Sequence, residues 1–509
     1  MKRIGIDVGG TNTDAVLLDG ERILAAIKTV TTADVLTGVR QALREVTEAA
    51  GTRDVSAVMI GTTHFVNAVV QRRELGRVGA LRIGMPASAS LPPFCDWPED
   101  LAALVRGPVH MVEGGHDYDG RPIMPLDERA VGAAARQMRA QGIEAVGISA
   151  IFSPLDPAME MRAGEIVRDA HPDAVITLSH QLGRIGLLER ENVALMNASL
   201  VGLARHTIRA FHGALSEAGI AAPLFVTQND GTVIRAGQAE RFPVLSFASG
   251  PTNSMRGAAF LTGVSDALVV DVGGTTSDIG ALRAGFPREA NAVVQVGGVR
   301  TLFRMPDLLS MGLGGGSIIA RDPLAIGPRS VGFRLLEQAR VFGGDVLTAT
   351  DMAVAGGRLS LGDAARVADI PRGLVDDVFA LAARMLEVAV DQMKTDAAEV
   401  PLLAVGGGAF MVPDHLPGVS EVRRPENAAV ANAVGAAIAQ VSGEADQVFQ
   451  GLTRDQALGE AERIARDRAV AAGAAANSVT LVDLEDLPLA YLPGGALRVR
   501  ARVVGDIAA

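Results

Sequence analysis

The chain has 509 residues, 48% hydrophobic, 21% charged and 4% aromatic, with a net charge of −11 and only three lysines, Lys2, Lys28 and Lys394. That length calls for two or three domains with aliphatic cores, and the acidic balance argues against nucleic acid or anionic membrane as a partner, since both select basic surfaces. The single Cys95 excludes an internal disulfide framework and a Cys-based metal cluster, no apolar run approaches the ~18 residues that span a bilayer, and the N-terminus enters a strand directly, so a cytoplasmic protein without a signal peptide is expected.

The first strand, 3–8, ends in Asp7-Val8-Gly9-Gly10-Thr11-Asn12. Two apolar runs follow, separated by Asp19-Gly20, a hairpin signal, so the first 30 residues predict a three-stranded antiparallel meander. A helix is expected over 34–50, a strand over 56–60, and a helix after GTTHFVNAVVQ (61–71), capped by Thr62 or Thr63. Residues 77–125 are rich in Pro and Gly and read as irregular; alternation resumes with helix 127–141, strand 143–151, helix 157–170 and strand 174–178. A long helix, 187–219, has the length to connect two halves.

Strands at 223–226 and 243–247 come next, then a helix beginning at Ser249-Gly250-Pro251. The run LVVDVGGTTSD (268–278) then repeats the opening IGIDVGGTNTD (4–14), and its meander is expected to continue with strands 278–283 and 289–296. After Gly314-Gly315-Gly316-Ser317 come helix 372–395, the strand PLLAV, Gly406-Gly407-Gly408, and a small-sided Ala-rich helix at 427–441 that can pack closely on a neighbour. Residues 452–509 read as one helix with two or three strands.

The doubled turn carries the chemistry. Glycines let backbone N–H groups approach an anion without a Cβ in the way. Gly9, Gly10, Thr11 and Asn12 are assigned to one side of a polyphosphate, and Gly273, Gly274, Thr275 and Thr276 to the other. Asp7 and Asp271, where the strands end, are the candidate catalytic and metal-binding residues, for Mg2+, which accepts a few carboxylates plus waters. Asp14 and Asp278 either join them or cap their own loops. Gly406, Gly407 and Gly408 offer a flat surface for adenine, or form an ordinary strand-to-helix turn; Gly314, Gly315 and Gly316 touch phosphate or substrate, or form a hinge. His64, His116 and Asp117 read as hydrogen-bonded loop residues rather than a metal site, and Arg184, Glu189 and Arg190 as surface pairs. No P-loop, dinucleotide fingerprint or G-x-S-x-G elbow is present.

These segments together resemble the hydantoinase A/5-oxoprolinase family, within the actin-like ATPases. The resemblance rests on IGIDVGGTNTDAVL, GTTHFVNAVV, LERENVALMNASL, TQNDGTV, SGPTNS, VVDVGGTTSD, the GLGGGS and IGPRS pair and TATDMAVAGGRL. Family members more often carry SGPAGG where this chain has SGPTNS, and Thr or Val at His64. The resemblance implies an α/β fold of duplicated actin-like (RNase H-like) domains flanking a nucleotide cleft: domain I over 1–186 with the 77–125 insertion, domain II over 187–441, and a small α+β appendix over 442–509. It implies ATP and Mg2+ as cofactors, a cyclic amide (a hydantoin, 5-oxoproline or a related lactam) as substrate, a separate B-type hydrolase subunit, and an oligomer. The alternatives are a small-molecule kinase of the sugar or carboxylate type and a nucleotide-gated scaffold.

Overall fold

The computed structural model describes residues 1–9, 12–30, 35–290, 293–489 and 495–508. The meander forms as the sequence predicts: strand Lys2–Val8 pairs antiparallel with Asn12–Asp19, which pairs with Arg22–Val30. On its other side Lys2–Val8 pairs in parallel with Ala57–Thr62. The second copy has the same plan. Strand Ala267–Val272 lies antiparallel to Ser277–Arg283 and parallel to Val400–Val405. The register repeats as well, with Asp7 opposite Asp14 and Asp271 opposite Asp278.

Each copy anchors a sheet. The first sheet has nine strands, running from Arg22–Val30 through Lys2–Val8 to Leu224–Thr227 and Val233–Arg235, and on through three strands of the C-terminal region, Val441–Phe449, Leu497–Gly505 and Thr480–Pro488. The C-terminal α+β segment therefore continues the first sheet, and helix Arg454–Ala472 covers it with a row of buried alanines, Ala457, Ala461, Ala465 and Ala469, at four-residue spacing. The second sheet has six strands and carries its core under helix Arg372–Met393.

Four sequence expectations are corrected. Residues 77–125 are not irregular: strand Val78–Met85, helix Glu99–Val105 and strand Arg106–Glu113 lie there, and Val78–Met85 is central in a four-stranded parallel sheet. Arg82 hid it by breaking the apolar run, yet that guanidinium is fully buried against the Glu191 carboxylate. Of the strand expected at 289–296, residues 291–292 lie outside the described residues, and the described part does not continue the meander. Val294–Val296 turns back on Val299–Thr301 through Gly297 and Gly298, both at positive φ, while Phe286–Pro287 and Leu308–Met311 occupy the edge of the meander. Residues Pro243–Ser246 form a 3-10 turn, because proline has no N–H to give a ladder. The Ala-rich helix at 427–441 shortens to Ala431–Ala437, with the next strand already starting at Val441.

Two helices cross between the halves. Helix Ser249–Thr262 and helix Ala431–Ala437 meet backbone to backbone, and a Cβ on Gly257 or Gly435 would overlap the Ala431 or Asn253 carbonyl. On its other side Ala431–Ala437 lies against Gly5 of the first strand. The close packing expected of this small-sided helix is thus achieved with glycine on both helices.

Candidate active site

In both copies the strand ends in a turn closed by one backbone bond, from Gly9 N to Asn12 O at 3.0 Å and from Gly273 N to Thr276 O at 2.9 Å. The two turns open into one cavity of about 420 Å³, lined by Asp7, Gly9, Asn12 and Asp14 from the first and Asp271, Gly273 through Thr276 and Asp278 from the second. Gly10 and Thr11 lie outside the described residues. Gly315 and Gly406 through Gly408 also line it. Gly314 and Gly316 do not; their segment braces the second turn, with Gly315 N donating to Gly273 O at 3.0 Å and Gly316 N to Gly274 O at 2.7 Å. Gly406 holds a φ of +86°, and a Cβ there would overlap the Asp271 carboxylate.

Asp7 and Asp14 are buried, Asp271 and Asp278 half-buried, and only Asp14 has a cation beside it among the described residues. Asp7 accepts from Asn253 Nδ2 at 3.2 Å and from Asn432 Nδ2 at 3.0 Å. Burial still pushes its carboxyl up to about 6, and the charges of Asp14 and Asp271 add to the rise. Burial likewise raises Asp271, against the hydrogen bond from the Ser254 hydroxyl. It pushes Asp278 up to about 6, against the bond from Ser310. Asp14 is also raised by burial, although Lys28 donates to both its oxygens at 2.6 and 2.8 Å. Apart from the Asp14–Lys28 pair, hydroxyl and amide donors rather than cations face these carboxylates.

Sequence reasoning did not find Lys28, Asn253, Ser254 or Asn432. Lys28 had a signal: it is one of three lysines and falls opposite Asp14 once the meander is in register. Asn253 and Ser254 lie in the SGPTNS segment, at the start of the helix whose first residues, Gly250 and Pro251, line the cavity. A helix N-terminus supplies free N–H groups and the positive end of the dipole. Asn432 had no local signal; it bridges Asp7 and Asp14 from a helix more than 400 residues away in sequence.

The other singled-out residues lie elsewhere. His64 begins helix His64–Gln71, 3.7 Å from Glu74, and His116 sits 3.4 Å from Asp156; among the described residues no three such side chains converge as a metal cluster. The N-cap of that helix is Thr63, which makes no side-chain capping bond, while the Thr62 hydroxyl just before it accepts from His64 N at 3.1 Å. Arg190 is not a surface residue but is fully buried, donating to Ser179 and to the carbonyls of Ala150, Arg184 and Ile185.

Comparison with known proteins agrees with this architecture. The hydantoinase/oxoprolinase N-terminal region matches residues 3–171, and the hydantoinase/oxoprolinase region matches 190–445. Caprolactamase subunit alpha of Pseudomonas jessenii is 28% identical over 395 residues, covering 71% of this chain and 55% of that protein. The acetophenone carboxylase gamma subunit of Aromatoleum aromaticum is 28% identical over 389 residues, covering 69% of this chain and 52% of that protein. The chain thus spans about half the length of the curated relatives it matches. The crystal structure of ATP-dependent caprolactamase from Pseudomonas jessenii superposes with a TM-score of 0.79 at 21% identity, covering 99% of this chain and 87% of that one. The nucleotide-free structure of acetone carboxylase gives a TM-score of 0.70 at 20% identity, covering 100% and 88%. The fold is that of the actin-like ATPases.

Proposed function

The chain belongs to the hydantoinase/oxoprolinase family, and from that premise we propose that it is the ATP-binding subunit of an enzyme that phosphorylates the oxygen of a cyclic amide, a hydantoin, 5-oxoproline or a related lactam, so that the ring can be hydrolysed. The observation that carries this reading is the convergence of Asp7, Gly9 and Asn12 from the first turn and Asp271 and Gly273 through Thr276 from the second on one cavity with four carboxylates and a helix N-terminus.

An amide carbonyl is a poor electrophile because nitrogen shares its lone pair with it, the resonance behind the ~18–20 kcal/mol rotation barrier. Attack of the amide oxygen on the γ-phosphorus of ATP breaks the bond to the bridging oxygen and releases ADP. Water then adds to the activated carbon, the C–N bond breaks with nitrogen taking a proton, and a second water releases phosphate. The turns cradle the polyphosphate, Gly250 at the helix start supplies a free end of backbone, and Gly406 through Gly408 leave a flat floor for the base. Asp7 and Asp271 fit Mg2+, which is commonly held by one or two carboxylates together with nucleotide phosphates. When bound, Mg2+ would neutralise charge on the phosphates. Asn253, Asn432 and Ser254 orient the two carboxylates. Ring opening is assigned to a separate B-type subunit, in line with caprolactamase subunit alpha being named as one subunit of its enzyme.

A second reading has its own support, because two relatives are named as subunits of ketone carboxylases. ATP would then activate a ketone oxygen by the same transfer. ATP turnover measured against lactams, hydantoins, and ketones with bicarbonate separates the two. Stimulation by a cyclic amide, abolished by Asp7→Asn or Asp271→Asn in a folded protein, supports the first; stimulation only by ketones with bicarbonate favours the second. Turnover unchanged in both variants overturns the assignment of the cleft.

A further inference from the structure

A second cavity, of about 520 Å³, lies between the four-stranded sheet and the C-terminal strands and shares no lining residue with the nucleotide cleft. Its wall holds four arginines, Arg184, Arg304, Arg468 and Arg498, against two carboxylates, Glu444 and Asp446, in a chain whose net charge is −11. Three of the arginines are already engaged. Arg498 clamps Asp446 with two bonds, Arg468 donates to the Glu444 carbonyl at 2.7 Å, and Arg304 is paired with Asp230, Glu289 and Glu444.

Arg184 is different. Its only ion pair among the described residues is with Glu289, at 3.6 Å, and Glu289 already serves Arg304, Arg500 and Arg502. One carboxylate is therefore shared among four guanidinium groups. Burial, together with the nearby charges of Arg500 and Arg498, lowers the Arg184 pKa, as expected for a cation without enough counter-charge. Arg184 and Arg498 also line the adjoining outer cavity, so the half-buried Arg184 stands where the two spaces meet.

His180 lines the same wall. Its Nδ1 lies 2.7 Å from Glu160, a fully buried carboxylate that also accepts from Ala150 N and the Ser179 hydroxyl. Burial alone would raise Glu160, but the His180 bond and the Arg190 charge hold it below the usual range. An ionised Glu160 makes Nδ1 the donor and leaves Nε2, which has no partner among the described residues, for a group in the cavity.

We propose that this cavity binds a small organic anion carrying a carboxylate or phosphate group, gripped by the Arg184 guanidinium and oriented by His180. A guanidinium fork pairs with either anion through parallel hydrogen bonds, which is why the test must separate them. The inference is independent of what the nucleotide cleft does.

Calorimetric titration of the full chain with glutarate, inorganic phosphate and the uncharged glutaramide, at fixed ionic strength, tests it. Saturable binding of glutarate or phosphate, but not of glutaramide, is expected, and whichever anion binds more tightly identifies the class. Arg184→Gln should weaken binding ~10–100-fold, the worth of a charge-assisted hydrogen bond, Arg184→Lys less, and His180→Asn by several-fold, with nucleotide affinity unchanged in all three. Absence of saturable binding by either anion, or equal affinity in wild type, Arg184→Gln and His180→Asn, overturns the proposal.

Discussion

Asn253 and Ser254 stand side by side on one helix and hold opposite halves of the cleft: the Asn253 amide donates to Asp7 at 3.2 Å, and the Ser254 hydroxyl donates to Asp271. A single helical turn therefore sets the relation between the two carboxylates. Removing the donor with Asn253→Ala or with Ser254→Ala should in each case cost roughly 1.5–3 kcal/mol, the worth of a hydrogen bond to a charged group. Nucleotide affinity measured across the single and double variants should deviate from additivity by more than ~0.5 kcal/mol, because both act on one bound phosphate chain. Strict additivity would mean that the helix braces each jaw independently.

The raised Asp7 carboxyl makes stability depend on pH in a stated direction. Its folded-state value of about 6 lies above the ordinary 3.8, so between those values the native state holds a proton that the unfolded chain has lost. Stability of the nucleotide-free protein from this group therefore falls as pH rises from 4 through 6. The loss reaches ~3 kcal/mol, because a tenfold difference in proton affinity is worth about 1.36 kcal/mol. Asp7→Asn removes the effect. Denaturant titrations should find the variant more stable than wild type at pH 8, with the gap closing towards pH 4. A gap that is constant across that range would show that Asp7 is not desolvated as the structure has it.

The repeat made most of this legible in advance. An apolar run, an aspartate and two glycines, found twice, specified two matching meanders and their facing turns, because each signal is local. What stayed hidden was long-range or contradicted its own neighbourhood. Arg82 masked a central strand, since nothing nearby in sequence announces Glu191 as its counter-charge. Asn432 reaches Asp7 and Asp14 from the far end of the chain, and an asparagine in an Ala-rich helix carries no sign of that. Gly297-Gly298 diverted the expected third strand into a separate ribbon, a turn that an apolar count over 289–296 overlooks.

The two jaws differ in the residue that lies opposite the second aspartate of each turn. Lys28 lies opposite Asp14, and Ser310 lies opposite Asp278. Lys28→Ser would leave Asp14 buried beside Asp7 with no cation, and should cost roughly 3 kcal/mol by chemical denaturation, the low end for breaking a buried pair because the lysine is one-third exposed. The reverse change, Ser310→Lys, gives Asp278 a counter-ion. It should raise the melting temperature while weakening Mg2+–nucleotide binding, since the new ammonium competes for the charge the ion would meet. Tighter nucleotide binding in Ser310→Lys would instead mean that the second jaw acts through its hydroxyl donors and not through its charge.

The glycine crossing between the two central helices offers the last test. Gly435 abuts the Asn253 carbonyl, and Asn253 in turn donates to Asp7. A methyl group at 435 strikes backbone, which cannot rotate out of its way, so Gly435→Ala should cost about 3 kcal/mol, the upper end for overpacking. The displaced helix also carries Asn253 away from Asp7 and Ser254 away from Asp271. Nucleotide binding should therefore fall at least tenfold at temperatures where circular dichroism still reports the native fold. By contrast, Gly373→Ala, on a helix where a Cβ meets nothing within 4 Å, should leave both stability and binding close to wild type. If Gly435→Ala lowers stability but keeps full nucleotide affinity, the crossing supports the fold alone and the two aspartates are positioned by their own strands.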